Sequence, residues 1–108
     1  KFSQIVRGRD GAQDLRRRAD ELRDAGKYAE AAEIYNKYLE RHPDDFAIWV
    51  QRGNCLKDCG SYEAATSAYE AAIKLNSTDA DVHLQLGHLM KLRGIPSAAA
   101  DAYYRAVE

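Results

Sequence analysis

Apolar side chains recur along the chain at the three- and four-residue spacing of amphipathic helices. One example is the series Ala65, Tyr69, Ala72 and Ile73, which places four apolar residues on a single helical face. Short breaks that are polar or contain glycine interrupt this pattern at regular distances. The pattern predicts six helices, near residues 12–25, 28–41, 46–59, 62–75, 80–93 and 96–107.

Glycine and proline mark the turns between paired helices. Gly26, Gly60 and Gly94 stand where a first helix would end in a left-handed residue, a conformation that glycine adopts without steric cost. Pro96 stands in the first turn of the following helix, where its missing N–H group is not needed. The breaks therefore predict three helix–turn–helix pairs.

The same glycines reveal an internal repeat, because each follows the previous one by 34 residues. This shift also superposes three other columns: Ala31, Ala65 and Ala99; Tyr35, Tyr69 and Tyr103; Leu22, Leu56 and Met90. We assign the repeat units to residues 12–45, 46–79 and 80–108, and residues 1–11 to an N-terminal extension that does not fit the repeat. Because one helix pair cannot bury its apolar face alone, we expect the units to stack around one continuous core.

The second unit resembles the tetratricopeptide repeat, on the residues Trp49, Gly53, Leu56, Gly60, Tyr62, Ala65, Tyr69 and Ala72. That resemblance covers residues 12–108 and implies an all-α, right-handed α-solenoid of three antiparallel helix pairs. It also implies a non-catalytic module that binds a protein or an extended peptide in a concave groove. Residues 53–58 and 84–88 bear a weaker resemblance to the repeats attached to glycosyltransferases.

Charge and composition exclude several classes of function. The 108 residues contain 16 Lys and Arg against 17 Asp and Glu, a formal net charge of -1. Because no net positive charge attracts phosphates or acidic lipids, neither nucleic acid nor a membrane surface is an expected partner. Uninterrupted apolar runs are far shorter than the ~20 residues that span a bilayer. The start of the chain has no signal-peptide pattern, so we expect a cytoplasmic location. Because the chain begins at Lys1 and not at Met, we also expect it to be a segment of a larger protein.

Catalytic and metal-binding chemistry is not expected from these residues. No nucleophile, general base and orienting group stand at a recognisable spacing. Cys55 and Cys59 are too few for a disulfide framework or a zinc site, and we predict two reduced thiols. His83 occupies the repeat column of Leu15 and Trp49, which predicts a packed core residue. The sequence therefore predicts no enzyme activity, no cofactor and no metal.

The first helix of each unit lines the concave side of such a solenoid, and its polar positions are the candidate binding residues. Amide side chains dominate the centre of this strip, and amides both donate and accept hydrogen bonds to the backbone of an extended peptide. The predicted peptide-binding residues are Arg16, Asp20, Gln51, Asn54, Lys57, Gln85, His88 and Lys91.

Three alternatives remain open at this point. The polar strip could serve only to keep exposed helices hydrated. The C-terminal helix is rich in alanine and tyrosine, which favours a self-assembly module in which copies of the chain meet through that helix. The resemblance to glycosyltransferase repeats implies a substrate-recruiting arm of such an enzyme.

Overall fold

The computed structural model describes residues 11–108, so residues 1–10 of the predicted N-terminal extension lie outside the described residues. The described part of the chain folds into six α-helices. They are α1 (Ala12–Asp24), α2 (Tyr28–Arg41), α3 (Phe46–Asp58), α4 (Tyr62–Leu75), α5 (Ala80–Leu92) and α6 (Pro96–Ala106). The predicted helices are confirmed: all six begin at the expected residue, and four end one residue earlier than expected.

Each first helix of a pair ends on a glycine in the left-handed region. The φ angles of Gly26, Gly60 and Gly94 are 78°, 88° and 77°. The N–H of the residue after each glycine donates to a carbonyl five residues back, as in the 2.8 Å bond from Ser61 to Leu56. This arrangement satisfies carbonyls that the end of a helix would otherwise leave without donors. The turns within the pairs are therefore fixed by local backbone chemistry.

Aspartates begin the first helices of the second and third pairs. The side chain of Asp45 accepts from the N–H of Ile48, and the side chain of Asp79 accepts from the N–H of Val82, at 3.3 Å and 3.0 Å. Each carboxylate also lies at the positive end of its helix dipole. Glycine turns thus join the helices within each pair, and aspartates begin the next pair. The helix pairs form an elongated stack that measures 56 × 26 × 18 Å.

A tyrosine ring lies against a glycine in both the second and third helix pairs. An ideal Cβ built on Gly53 would lie 2.5 Å from a ring carbon of Tyr69, and one built on Gly87 would overlap the ring of Tyr103 in the same way. Tyr69 is completely buried, as is Tyr35 of the first pair. The small residues of the repeat therefore make room for large aromatic side chains on the facing helix.

The two junctions between pairs are built alike but packed differently. Trp49 Nε1 donates to the carbonyl of Pro43 at 2.7 Å, and His83 Nε2 contacts the carbonyl of Ser77 at 2.8 Å. His83 stands one repeat after Trp49 and is buried, which confirms the prediction of a core residue. The α4–α5 junction nevertheless packs less closely than the α2–α3 junction.

Candidate functional site

A polar depression of about 510 Å³ opens on the side formed by the first helices of the three pairs. Four of the eight predicted binding residues line it: Gln51, Asn54, Lys57 and Gln85. The other lining residues are Arg23, Asp24, Tyr28, Cys55 and Asp58. We refer to this surface as the polar depression. The remaining predicted residues, Arg16, Asp20, His88 and Lys91, lie outside its lining.

Two hydrogen bonds inside the depression link a cation to a glutamine of the next helix pair. Arg23 Nη1 donates to Gln51 Oε1 at 3.1 Å, and Lys57 Nζ donates to Gln85 Oε1 at 2.8 Å. The partners are separated by 28 residues in both cases. Because the chain repeats every 34 residues, the second bond is the first one shifted by one repeat. These contacts fix the side-chain orientation of both glutamines.

A second set of contacts joins the predicted groove residues to the tyrosines of the second helices. The Tyr35 hydroxyl donates to Asp20 Oδ1 and the Tyr69 hydroxyl donates to Asn54 Oδ1, across 15 residues in both cases. At the corresponding place in the third pair, the ring of His88 packs edge-on against Tyr103 with centroids 5.7 Å apart. One face of each of these side chains is therefore committed to its own helix pair.

The hydrogen bonds of the depression engage the oxygens of its three amide side chains and leave their NH₂ groups unused. A lysine or arginine can only donate, so the oxygens of Gln51 and Gln85 must face their cations. The oxygen of Asn54 is taken by the tyrosine hydroxyl. Within the described residues, the three side-chain NH₂ groups have no hydrogen-bond partner. They are available to a ligand that supplies acceptors.

Charges around the depression are arranged in a local network. Arg23 lies 2.9 Å from Asp24 and 3.6 Å from Asp20, and it also donates to the Tyr35 hydroxyl at 3.2 Å. Burial acts to lower the pKa of Arg23, but the hydrogen bond to Asp24 and the nearby negative charges raise that pKa above its ordinary value. Arg23 is therefore a fixed cation.

The other predicted residues occupy more open positions. Arg16, His88 and Lys91 are exposed, while Asp20 is half-buried beneath Tyr35. Lys91 stands one repeat after Lys57, and within residues 11–108 it has no glutamine to contact. In the same part of the chain, no cluster of three or more His, Cys, Asp or Glu side chains could hold a metal ion.

Sequence analysis places Arg23, Asp24 and Asp58 on the exposed first-helix strip without selecting them as binding residues, and it missed Tyr28 and Cys55. The repeat did contain a signal for Arg23, because a cation at positions 23 and 57 is followed 28 residues later by glutamine in both cases. Cys55 is buried beneath the depression and Cys59 is exposed, and the structure has both as free thiols. Tyr28 opens a second helix, so its contribution could not be read from the first-helix strip.

Comparison with known families bears on what this surface is. The sequence model of the tetratricopeptide repeat matches residues 16–80, which is more than half of the chain. The chain belongs to the tetratricopeptide repeat family. The matched region includes the Arg23–Gln51 contact, Lys57 of the second contact and the whole of the second helix pair. No curated protein sequence matches the chain closely enough to count as a relative.

Solved structures show the same tetratricopeptide repeat fold. The Yersinia enterocolitica type III secretion chaperone SycD, in complex with a peptide of the translocator YopD, superposes with a TM-score of 0.83 at 18% identity. The match covers 90% of this chain and 74% of SycD. MamA from AMB-1 superposes with a TM-score of 0.87 at 19% identity over 99% of this chain, which spans 63% of MamA. At this level of identity the likeness establishes the fold.

The predicted all-α helical repeat solenoid is thus confirmed. None of the helices between residues 11 and 108 combines the length and the apolar content that crossing a bilayer requires.

Proposed function

We propose that this chain is a non-catalytic interaction module that holds an extended peptide of a partner protein in the polar depression. The observation that carries the proposal is the shared orientation of Gln51, Asn54 and Gln85. Their oxygens are engaged within the protein and their NH₂ groups are not. An extended backbone presents carbonyl acceptors at regular intervals, and such acceptors match donors held on a rigid scaffold.

The rigidity of these donors favours binding, because fewer side chains lose freedom when the peptide arrives. Gln51 and Gln85 are each fixed by a cation from the preceding helix pair. Lys57 retains two further N–H groups beyond the one that it donates to Gln85. We therefore assign to the partner a segment rich in acceptors, with backbone carbonyls at the amides and an acidic side chain near Lys57.

The comparisons support this function without placing its site. SycD is a chaperone whose solved complex contains a peptide of the translocator YopD, and its fold superposes on most of this chain. We extend peptide binding to this chain on that basis and on membership of the family. The three-repeat count, with units at residues 12–45, 46–79 and 80–108, belongs to the same proposal, as does a cytoplasmic location.

The test replaces donors while it preserves the internal contacts. In the double variant Gln51→Glu/Gln85→Glu, each carboxylate still accepts from Arg23 or Lys57, but the outward NH₂ group is lost. We expect a linear peptide selected from a displayed random library to bind the wild-type chain and to bind this variant at least about tenfold more weakly. Unchanged affinity in a folded variant would remove the peptide site from the polar depression.

The control is Asn76→Asp, which makes the same kind of charge change outside the depression. Asn76 Oδ1 accepts from the N–H and the hydroxyl of Thr78, and an aspartate keeps that acceptor. Affinity for the selected peptide should therefore match that of the wild-type chain. A loss as large as that of the double variant would show that net charge, not the loss of amide donors, is responsible.

Self-assembly through the C-terminal helix is the second candidate. Tyr104 and Val107 of this region are 70% and 81% exposed, which favours contact with another apolar surface. If two copies stacked end to end in the repeat register, Lys91 of one copy would face the residue of the next copy that occupies the column of Gln51 and Gln85. In the first unit that residue is Arg17. Two cations would then meet. Light scattering across a concentration range, with Tyr104→Glu as the disrupting variant, tests whether copies associate in another arrangement.

The recruiting arm of a glycosyltransferase stays a prediction from the resemblance of residues 53–58 and 84–88. It requires the same peptide-binding groove and makes no separate demand on the described residues. The gene that encodes this chain would test it, because a transferase domain should then adjoin the repeats.

A further inference from the structure

A crevice of about 670 Å³ lies at the junction of the second and third helix pairs, and it shares no residue with the polar depression. Its apolar wall contains Ile73 of α4, Leu86 and Met90 of α5, and Ala98 and Ala102 of α6. His83 also lines it. The volume is within the range of about 300–1,000 Å³ that ligand sites occupy in proteins.

Comparison of the two junctions explains why the crevice exists. One repeat earlier, the position of His83 is held by Trp49, and the position of Leu86 is held by Arg52. The indole of Trp49 donates to the carbonyl of Pro43, and the imidazole of His83 preserves that contact with the carbonyl of Ser77. Imidazole lacks the benzene ring of indole. The second junction therefore keeps the hydrogen bond of the first but has lost an aromatic ring beside it.

The imidazole of His83 also has an unfilled hydrogen-bonding position. Because a carbonyl can only accept, Nε2 must carry the hydrogen that bonds to Ser77. In the neutral ring Nδ1 is then an acceptor, and it is buried without a partner in a side chain that is only 6% exposed. Buried polar atoms in proteins are normally paired. Nδ1 itself has almost no accessible surface, so a ligand in the crevice contacts the rest of the imidazole.

The rim of the crevice bears a net negative charge. Glu70, Asp101 and Glu108 lie around it, against Arg105 and against Arg93, whose guanidinium donates to the lining hydroxyl of Thr66. This excess of carboxylates favours a ligand that carries positive charge beside its apolar part. The wall and the rim thus demand two different properties of one ligand, an apolar body and positive charge beside it.

We propose that the crevice is a second binding site, which takes one aromatic side chain, flanked by basic residues, from a partner polypeptide. A tryptophan meets these demands most fully. Its ring replaces the aromatic group that the second junction lacks relative to Trp49, and its lysine or arginine neighbours contact the acidic rim. The site is independent of the polar depression and does not rest on the function proposed for it.

The binding test uses acetyl-Lys-Trp-Lys-amide with the full chain and follows binding by calorimetry. Acetyl-Lys-Ala-Lys-amide and acetyl-Glu-Trp-Glu-amide should each bind at least about tenfold more weakly, because the first lacks the aromatic group and the second is repelled by the rim. Equal binding of either control peptide would overturn the proposal. Equal binding of the free N-acetyl-tryptophanamide would also overturn it, by assigning the crevice to a small molecule.

The variant that places the site is His83→Trp. The new indole can donate to Ser77 as Trp49 donates to Pro43, and its larger ring occupies the crevice, so the variant should fold and bind the peptide at least about tenfold more weakly. Ala98→Leu provides the same block from a half-buried wall position without altering His83. Gln85→Glu in the polar depression should leave this binding unchanged. Wild-type affinity in either folded blocking variant would place the peptide elsewhere.

Discussion

The hydroxyl of Tyr69 donates to the side-chain oxygen of Asn54, so the residue at the centre of the predicted binding strip also completes the core of its own helix pair. Tyr69 is completely buried, and burial raises the pKa of its phenol well above the ordinary range. The hydroxyl therefore acts as a donor at all pH values near neutrality. Asn54 has one side in the core and the other in the polar depression.

This contact predicts the effect of Asn54→Ala on stability. An asparagine that served only an exposed strip could be removed at little cost, whereas removal of this one leaves the buried Tyr69 hydroxyl without its acceptor. We expect the free energy of unfolding to fall by about 1–3 kcal/mol. Urea denaturation at constant slope measures the change.

The control for this prediction is a double-mutant cycle with Tyr69→Phe. Because both single variants remove the same hydrogen bond, the double variant should be less destabilised than the sum of the two. Strict additivity, or an unchanged midpoint for Asn54→Ala, would contradict a structural role for this contact.

A second prediction concerns Gly53→Ala in the same helix pair. The added Cβ would lie 2.5 Å from the ring of Tyr69, a carbon in an immobile buried side chain. Overpacking of this kind costs about 1–3 kcal/mol, although alanine gains about 1 kcal/mol over glycine in helix propensity. We therefore expect a net loss of about 1 kcal/mol or more in chemical denaturation.

Position 19 supplies the internal comparison, because the first unit carries alanine in the column of Gly53 and Gly87. Ala19→Gly removes no clash and deletes a buried methyl group, so it should be destabilising by about 1 kcal/mol or more through helix propensity and lost packing. If Gly53→Ala instead stabilised the protein, the close approach of Tyr69 to α3 would be wrong.

The two cysteines should differ sharply in reactivity. Cys55 is buried, and burial raises the pKa of its thiol to about 11, so its reactive thiolate is scarce at neutral pH. Cys59 is exposed. With an aromatic disulfide reagent at neutral pH, we expect one thiol per chain to react quickly and the second to react only after denaturant is added. Cys59→Ser should eliminate the fast phase, and a fast phase that persisted in this variant would contradict the burial of Cys55.

The raised pKa of Cys55 also predicts how stability depends on alkaline pH. The unfolded thiol ionises near its ordinary pKa of about 8.5, whereas the folded thiol keeps its proton up to about 11. Between these values the unfolded state releases a proton that the folded state retains, so the free energy of unfolding decreases as pH rises. Below about pH 8.5 the contribution is fully present.

Denaturation midpoints measured from about pH 8 to pH 11 test this slope. Cys55→Ala should flatten it, and Cys59→Ser should leave it unchanged. Tyr35 and Tyr69 act in the same direction above about pH 10, since burial raises the pKa of each phenol. The loss of stability with rising pH should therefore be less steep in Cys55→Ala than in the wild type, mainly between about pH 8.5 and about pH 11.

The helices could be predicted from sequence because their ends depend on local chemistry. Gly60 ends α3 and Asp79 begins α5 through contacts within a few residues, and such contacts leave a signature in the pattern. The candidate site depends on side-chain direction instead. Asn54 and Asp20 both occupy first-helix positions that the sequence pattern assigns to the exposed strip. In the structure, the side-chain oxygen of each accepts a hydrogen bond from a tyrosine 15 residues later.

The crevice could not be predicted for a related reason. A periodic sequence emphasises what the units share, and Trp49 and His83 share a column and a hydrogen bond. What separates them is the volume that their rings fill between neighbouring pairs. That difference becomes visible only when both junctions are compared in three dimensions.

The looser α4–α5 junction has a consequence for the order in which the stack opens. In a linear array each pair is held only by its neighbours, so the array separates first where adjacent pairs are least coupled. The α5–α6 pair should detach as a unit while the first two pairs remain joined, and its backbone amides should exchange their hydrogens with solvent sooner than those of α2 and α3. An aromatic guest in the crevice would contact both sides of that junction and slow this exchange, and the rate at which α5 and α6 take up deuterium would then report occupancy of a site that lies away from the polar depression.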